Sequence, residues 1–150
     1  MRALVTGASP GIGGASCRVL TKMALDRGEK PKIAACEIRE TDEIKALAEE
    51  LRDAGAEVLV LTGDVGGTID PGAMVARAVK TFRGLDAVVS NAGITSPAPL
   101  NDLDIGQWDK LMAVNTRATL LLAQAAYPAL KESKGGLVAV TSMSGMGAHP

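Results

Sequence analysis

The stretch Thr6-Gly7-Ala8-Ser9-Pro10-Gly11-Ile12-Gly13 decides how this chain is read. Before it stands Ala3–Thr6, a short apolar run with strand character. After it Ile12, Ala15, Ser16, Val19, Leu20 and Met23 recur at helical spacing, with Gly28 just beyond as a stop. Glycines between a strand and a helix permit a tight turn and let main-chain amides approach an anion at the helix N-terminus. Glycines in one turn also serve plain loop geometry; their place between strand and helix is what favours a dinucleotide site. The spacing is T-G-x-x-x-G-I-G. The commoner G-x-G-x-x-G fails here, because counting from Gly11 puts Ser16 at its last glycine.

Outward from this turn, strand-like and helix-like periods alternate to the end of the chain. Lys32–Cys36 reads as the second strand and Glu57–Leu61 as the third. Between them Ile44, Leu47, Ala48 and Leu51 form an amphipathic stripe that ends near Gly55. Asp70-Pro71 predicts a helix start, with Asp as cap and Pro at the first helical position, and that helix should stop at Gly84. Leu85–Ser90 is the fourth strand and Leu137–Ser142 the fifth. A long helical region from Asp104 to Lys131 separates them, with a bend expected near Pro128. Strands apolar almost throughout, separated by helices, imply a parallel sheet covered on both faces. The expected fold is α/β: one doubly wound, Rossmann-like domain over 1–150, with five strands present and the C-terminal strands missing.

Composition excludes several classes. With 150 residues, 47% of them hydrophobic and 22% charged, the chain is long enough for one packed domain and too apolar for a disordered one. A formal net charge of -1 with scattered Lys and Arg leaves no footprint for nucleic acid or an anionic membrane surface. The longest apolar stretch, near Leu120–Leu130, is broken by Gln124 and Pro128 and is too short to span a bilayer. No secretory leader pattern precedes the first strand, so the expected location is cytoplasmic. Cys17 and Cys36 are isolated, which predicts two reduced thiols, and one histidine cannot build a histidine-rich metal site.

Further segments follow the other strands. Asp64-Val65 comes after the third strand, Ser90-Asn91-Ala92-Gly93 after the fourth, and Thr141-Ser142-Met143-Ser144-Gly145 after the fifth, with Val114-Asn115 inside the long helix. Open parallel sheets place ligands at strand carboxyl ends. With the glycine turn, these segments in this order resemble the classical short-chain dehydrogenase/reductase family, and the resemblance covers the whole chain. It implies that Gly7, Ser9, Gly11, Ile12, Gly13, Asp64, Val65, Asn91, Ala92 and Gly93 hold a nicotinamide dinucleotide. It implies Ser142 and Asn115 as catalytic residues, with Ser142 rather than Ser144 in register. One departure is Ser90, where the family's N-N-A-G motif has its first asparagine; Pro10 stands where the extended branch of the superfamily would have glycine, which sets the chain with the classical one. From the residues alone, Asn115 shares a largely apolar helical face with Trp108, Met112, Thr119 and Leu122, and could equally be a self-satisfied core amide.

Glu37, at the end of the second strand, is placed to accept from a ribose 2′-hydroxyl and to repel a 2′-phosphate, which favours NAD. Arg39 two residues on, suited to a phosphate, keeps NADP open. The family's catalytic tyrosine and lysine would follow the serine, but the chain reaches Pro150 first. The expectation is therefore a part of a longer polypeptide, inactive alone. Tyr127 and Lys131 have Y-x-x-x-K spacing yet precede the serine strand, and are read as coincidence. The function so implied is hydride transfer between the nicotinamide and a small alcohol or ketone, in a homo-oligomer (dimer or tetramer). A non-catalytic dinucleotide-binding module is the alternative. A serine hydrolase fails: no G-x-S-x-G elbow surrounds Ser142 or Ser144, and His149 is the single histidine.

Overall fold

Successive residues of the first strand, β1 (Arg2–Thr6), point into two different cores. Ala3 and Val5 pack with Cys17, Ile33, Ala35, Ile44, Leu47 and Leu51 on one face of the sheet. Leu4 packs with Ala34, Met74, Val75, Phe82, Val88 and Leu122 on the other. A strand buried on both faces must be apolar at every position, which is why these segments show continuous apolar runs rather than alternation. The computed structural model describes residues 1–66, 71–96, 98–99 and 101–142.

The remaining elements follow in chain order: α1 (Ile12–Asp26), β2 (Lys32–Glu37), α2 (Asp42–Asp53), β3 (Glu57–Thr62), α3 (Pro71–Phe82), β4 (Ala87–Ser90), α4 (Ile105–Met112), α5 (Ala118–Ser133) and β5 (Gly136–Ala139). All pairings are parallel and the sheet order is β3-β2-β1-β4-β5. This is the doubly wound topology expected, and the order reverses at β1, between β2 and β4. In such sheets the crevice for a ligand opens at that reversal. A partly buried ion pair closes the opposite edge: the Arg2 guanidinium donates to both carboxylate oxygens of Asp86, and the Arg2 amide donates to Asp86 Oδ2 at 2.7 Å. These bonds hold the Asp86 carboxyl below its usual range.

Three readings of the sequence need correction. Pro128 does not end the long helix and lies inside α5. The helix breaks into α4 and α5 at a π turn, Ala113–Arg117, which shifts the helix face by one residue. Ala113, Val114, Ala118 and Leu122 are therefore buried, while Trp108 and Met112 are 51% and 41% exposed and Asn115 is exposed too. The apolar stripe predicted to carry Asn115 does not exist as a buried face. In α1 the buried side is Gly13, Gly14, Cys17, Thr21 and Ala24, and the predicted residues Ile12, Val19 and Met23 face outward. Small residues win there because they bring the helix close to the sheet. Finally, β5 ends at Ala139, three residues before Ser142, although the Val140 amide still donates to the Ser90 carbonyl at 2.9 Å. The predicted cap Asp70 lies outside the described residues. The α2 stripe is buried as expected, with Thr41 capping the Ile44 amide.

Candidate functional site

At the reversal of strand order the Thr6 side chain, 1% exposed, sits between β1 and β4. Its Oγ1 accepts from the amides of both Asn91 and Ala92 at 3.1 Å. In return Asn91 Nδ2 donates to the carbonyls of Thr6 (3.1 Å) and Gly7 (2.9 Å). The turn after β1 and the segment after β4 are thus fastened by four hydrogen bonds, each satisfying a polar group removed from water. A Cβ on Gly13 would lie 2.7 Å from Asn91 Nδ2 and from the Gly7 carbonyl carbon, and closer still to the Gly7 oxygen. Gly13 is therefore glycine because the first turn of α1 packs against the glycine turn itself. That differs from the reason read from the sequence, the approach of main-chain amides to an anion at the helix N-terminus. Gly11 precedes α1 at φ +77, a conformation that glycine adopts without strain, and a side chain there would meet nothing.

Above this joint lies a cavity of about 330 Å³. Of the predicted binding residues, Gly7, Ser9, Glu37, Asp64, Val65, Asn91, Ala92 and Gly93 line it, drawn from the carboxyl ends of β1, β2, β3 and β4. Gly11, Ile12 and Gly13 do not line it; they form the N-terminal turn of α1 beside it. Glu37 Oε2 accepts from the Ser9 amide at 3.2 Å and Oε1 from the Ile38 amide at 2.9 Å. A carboxylate has about four acceptor positions, so both oxygens keep capacity for a ligand hydroxyl. Asp64 Oδ1 accepts from the Gly66 amide at 2.9 Å, which shapes the loop after β3. Ser9 Oγ is buried without a hydrogen-bond partner among the described residues. That hydroxyl in the turn, a carboxylate with spare acceptors and the amides at the start of α1 fit a dinucleotide. Arg39 is not among the lining residues.

The two predicted catalytic residues do not line this cavity. Asn115 binds Ile94 twice: its Oδ1 accepts from the Ile94 amide and its Nδ2 donates to the Ile94 carbonyl, both at 2.9 Å. The amide thus fastens the segment after β4 to the π turn. Ser142 lies exposed beyond the end of β5. Tyr127 is 61% exposed on α5, with the Lys131 ammonium 5.9 Å from its ring centroid. That helix runs from Thr119, bonded to Ser90 at the carboxyl end of β4, to Ser133, bonded to Leu85 before its start. Tyr127 therefore falls well down the helix, away from the cavity edge, in keeping with a coincidental Y-x-x-x-K.

Sequence reading missed Pro10, Cys36, Ile38, Gly63, Ile94, Lys110 and Val114 as lining residues, and missed Thr6 as the hub. Thr6 stood in the quoted turn. Lys110 carried no signal and Val114 was quoted only as the neighbour of Asn115, since only the path of α4 and the π turn brings them to the cavity. Cys17 and Cys36 are buried free thiols; burial pushes Cys17 up to about 12 and Cys36 higher still, so neither is a thiolate at neutral pH.

The family model described as short chain dehydrogenase matches residues 1–150. The chain belongs to that family. Among its relatives, an uncharacterised oxidoreductase of Staphylococcus aureus strain N315 is 35% identical over 144 residues, 95% of this chain and 58% of that protein. Among solved structures, a short chain dehydrogenase from Burkholderia cenocepacia J2315 in complex with NADP superposes with a TM-score of 0.89 at 29% identity. It covers 99% of this chain and 58% of its own. A 3-ketoacyl-ACP reductase from Sinorhizobium meliloti 1021 gives a TM-score of 0.84 at 35% identity, covering 95% and 54%. This short-chain dehydrogenase chain therefore spans between half and two thirds of the length of these relatives.

Proposed function

We propose that these 150 residues are the dinucleotide-binding portion of an NAD(P)-dependent oxidoreductase acting on a small alcohol or ketone. The observation that carries this is the cavity at the strand-order reversal, where four strand ends bring Glu37, Asp64, Asn91 and a Ser9 hydroxyl that has no partner among the described residues together. The family supports it, as does the NADP in the Burkholderia structure. NAD is the preferred cofactor here, because Glu37 stands in the cavity and Arg39 does not. Calorimetric titration of the folded chain with NAD and NADP tests this. Saturable NAD binding is expected, and no saturable binding of either would overturn it.

When bound, the nicotinamide would accept or deliver the hydride. Ser142, at the carboxyl side of β5, would hold the substrate oxygen, since charge developing there needs a fixed donor. Asn115 would keep the segment after β4 and the π turn in register. The chain is further proposed to work as a homo-oligomer. Ile105, Trp108, Leu120 and Tyr127, 74%, 51%, 57% and 61% exposed on α4 and α5, support that reading, and sedimentation giving a clean monomer would refute it. Among the described residues no helix is long and apolar enough to cross a membrane. A cytoplasmic setting is proposed on the two free thiols.

A further inference from the structure

The π turn touches two loops of the cavity at once. Through Asn115 it grips Ile94, after β4, as described above. Two residues on, Arg117 Nη2 donates to the carbonyl of Gly66 at 3.1 Å, gripping the loop after β3. The same loop is pressed onto the turn: a Cβ on Gly66 would lie 3.0 Å from the Val114 amide nitrogen and overlap the Val114 side chain. Val114 and the loop residues Asp64 and Val65 line the cavity, while Arg117 does not. A π turn exposes donors and side chains at a spacing that an unbroken α-helix would not offer, and such turns recur at functional sites.

We propose that Arg117 is a positioning residue for the dinucleotide. It fixes the carbonyl of Gly66 so that Asp64 and Val65 stand ready at the cavity wall without Arg117 touching the ligand. The Asp64 side chain already holds the Gly66 amide, so Gly66 is held on both sides, by Asp64 at its N–H and by Arg117 at its C=O. Without the second hold the loop relaxes, and binding must then supply the ordering that is now built in. The effect falls on the moiety that meets the loop after β3. This proposal rests on the dinucleotide reading of the cavity.

The test compares wild type with Arg117→Met, which keeps length but not the donor, and Arg117→Lys, which restores a donor. In ligand-free protein, hydrogen exchange at the amides of Val65 and Gly66 should quicken in the Met variant and return toward wild type in the Lys variant, with β1 and β2 amides unchanged. The dissociation constants for NAD and for AMP should rise together by roughly 3–10-fold in the Met variant, the scale of one exposed hydrogen bond, and recover with Lys. If wild type binds NAD and the Met variant binds it equally well, the proposal is wrong and the cofactor reading stands. If wild type binds no dinucleotide, both fail. Weaker binding that Lys does not rescue, with β1 and β2 amides also exchanging faster, would show a general loss of structure and would likewise overturn the positioning role.

Discussion

Replacing Gly13 with Ala adds one methyl at the joint between β1, α1 and β4. Its carbon would stand 2.7 Å from Asn91 Nδ2 and from the Gly7 carbonyl carbon, where ordinary contact begins near 3.4 Å. The Gly7 carbonyl oxygen would be closer still, so the partners must separate by more than about 0.7 Å, and the Gly7 carbonyl is main chain that cannot rotate away. Overpacking of this kind costs about 1–3 kcal/mol. Displacing Asn91 also weakens its bonds to the Thr6 and Gly7 carbonyls, at about 0.5–1.5 kcal/mol each. The expected loss of stability is roughly 2–4 kcal/mol, or about 5–15 °C in Tm for a chain of this size. Binding should suffer in the still-folded fraction, because Asn91 lines the cavity. Thermal unfolding followed by calorimetry with NAD would measure both effects. A Gly13→Ala protein with unchanged Tm and unchanged affinity would refute the close-packing account of this glycine.

Glu37→Ala should weaken NAD by about 1.5–3 kcal/mol, the range of a charge-assisted hydrogen bond, and should leave NADP unaffected or improved. Wild-type protein binding NADP tenfold more tightly than NAD would shift the assignment to Arg39. Asp86→Asn should lower stability at pH 7 by about 1–2 kcal/mol through loss of the Arg2 pair. Because Asp86 titrates below its ordinary value of 3.8, the wild-type advantage is full above that value and shrinks as pH falls through the lower folded-state value. Urea midpoints at pH 7 and pH 3 would show it, and an equal difference at both would contradict it. A polypeptide of these 150 residues should bind NAD without turnover. In a version extended to its relatives' length, Ser142→Ala should cut kcat/KM by about 10²–10³-fold while Tyr127→Phe changes little. Activity lost on Tyr127→Phe would overturn the reading of that tyrosine.

The sequence by itself determined the architecture and most of the cavity wall. Uninterrupted apolar strands demanded cover on both faces, and right-handed crossovers then left few topologies, so the doubly wound parallel sheet followed from local pattern, while the reversal of strand order at β1 is seen in the structure. Because ligands sit at strand carboxyl ends, Glu37 could be named from its place past the second strand, and the family resemblance of the segments there named Gly7, Ser9, Asp64, Val65 and Asn91–Gly93. Tertiary structure decided what local pattern cannot encode. Whether Gly13 faces a ligand or the Gly7 carbonyl depends on how closely α1 approaches β4, a separation of 78 residues between Gly13 and Asn91 that no periodicity records. The π turn inserts one residue into a helix whose sequence looks regular. It thereby turned Trp108 and Met112 outward, buried Val114, and aimed Asn115 and Arg117 at two loops. Helix periodicity predicts a face only while the helix keeps its pitch. Here the pitch changes at Ala113–Arg117, where Val114 packs against Gly66 and the turn joins the loops after β3 and β4.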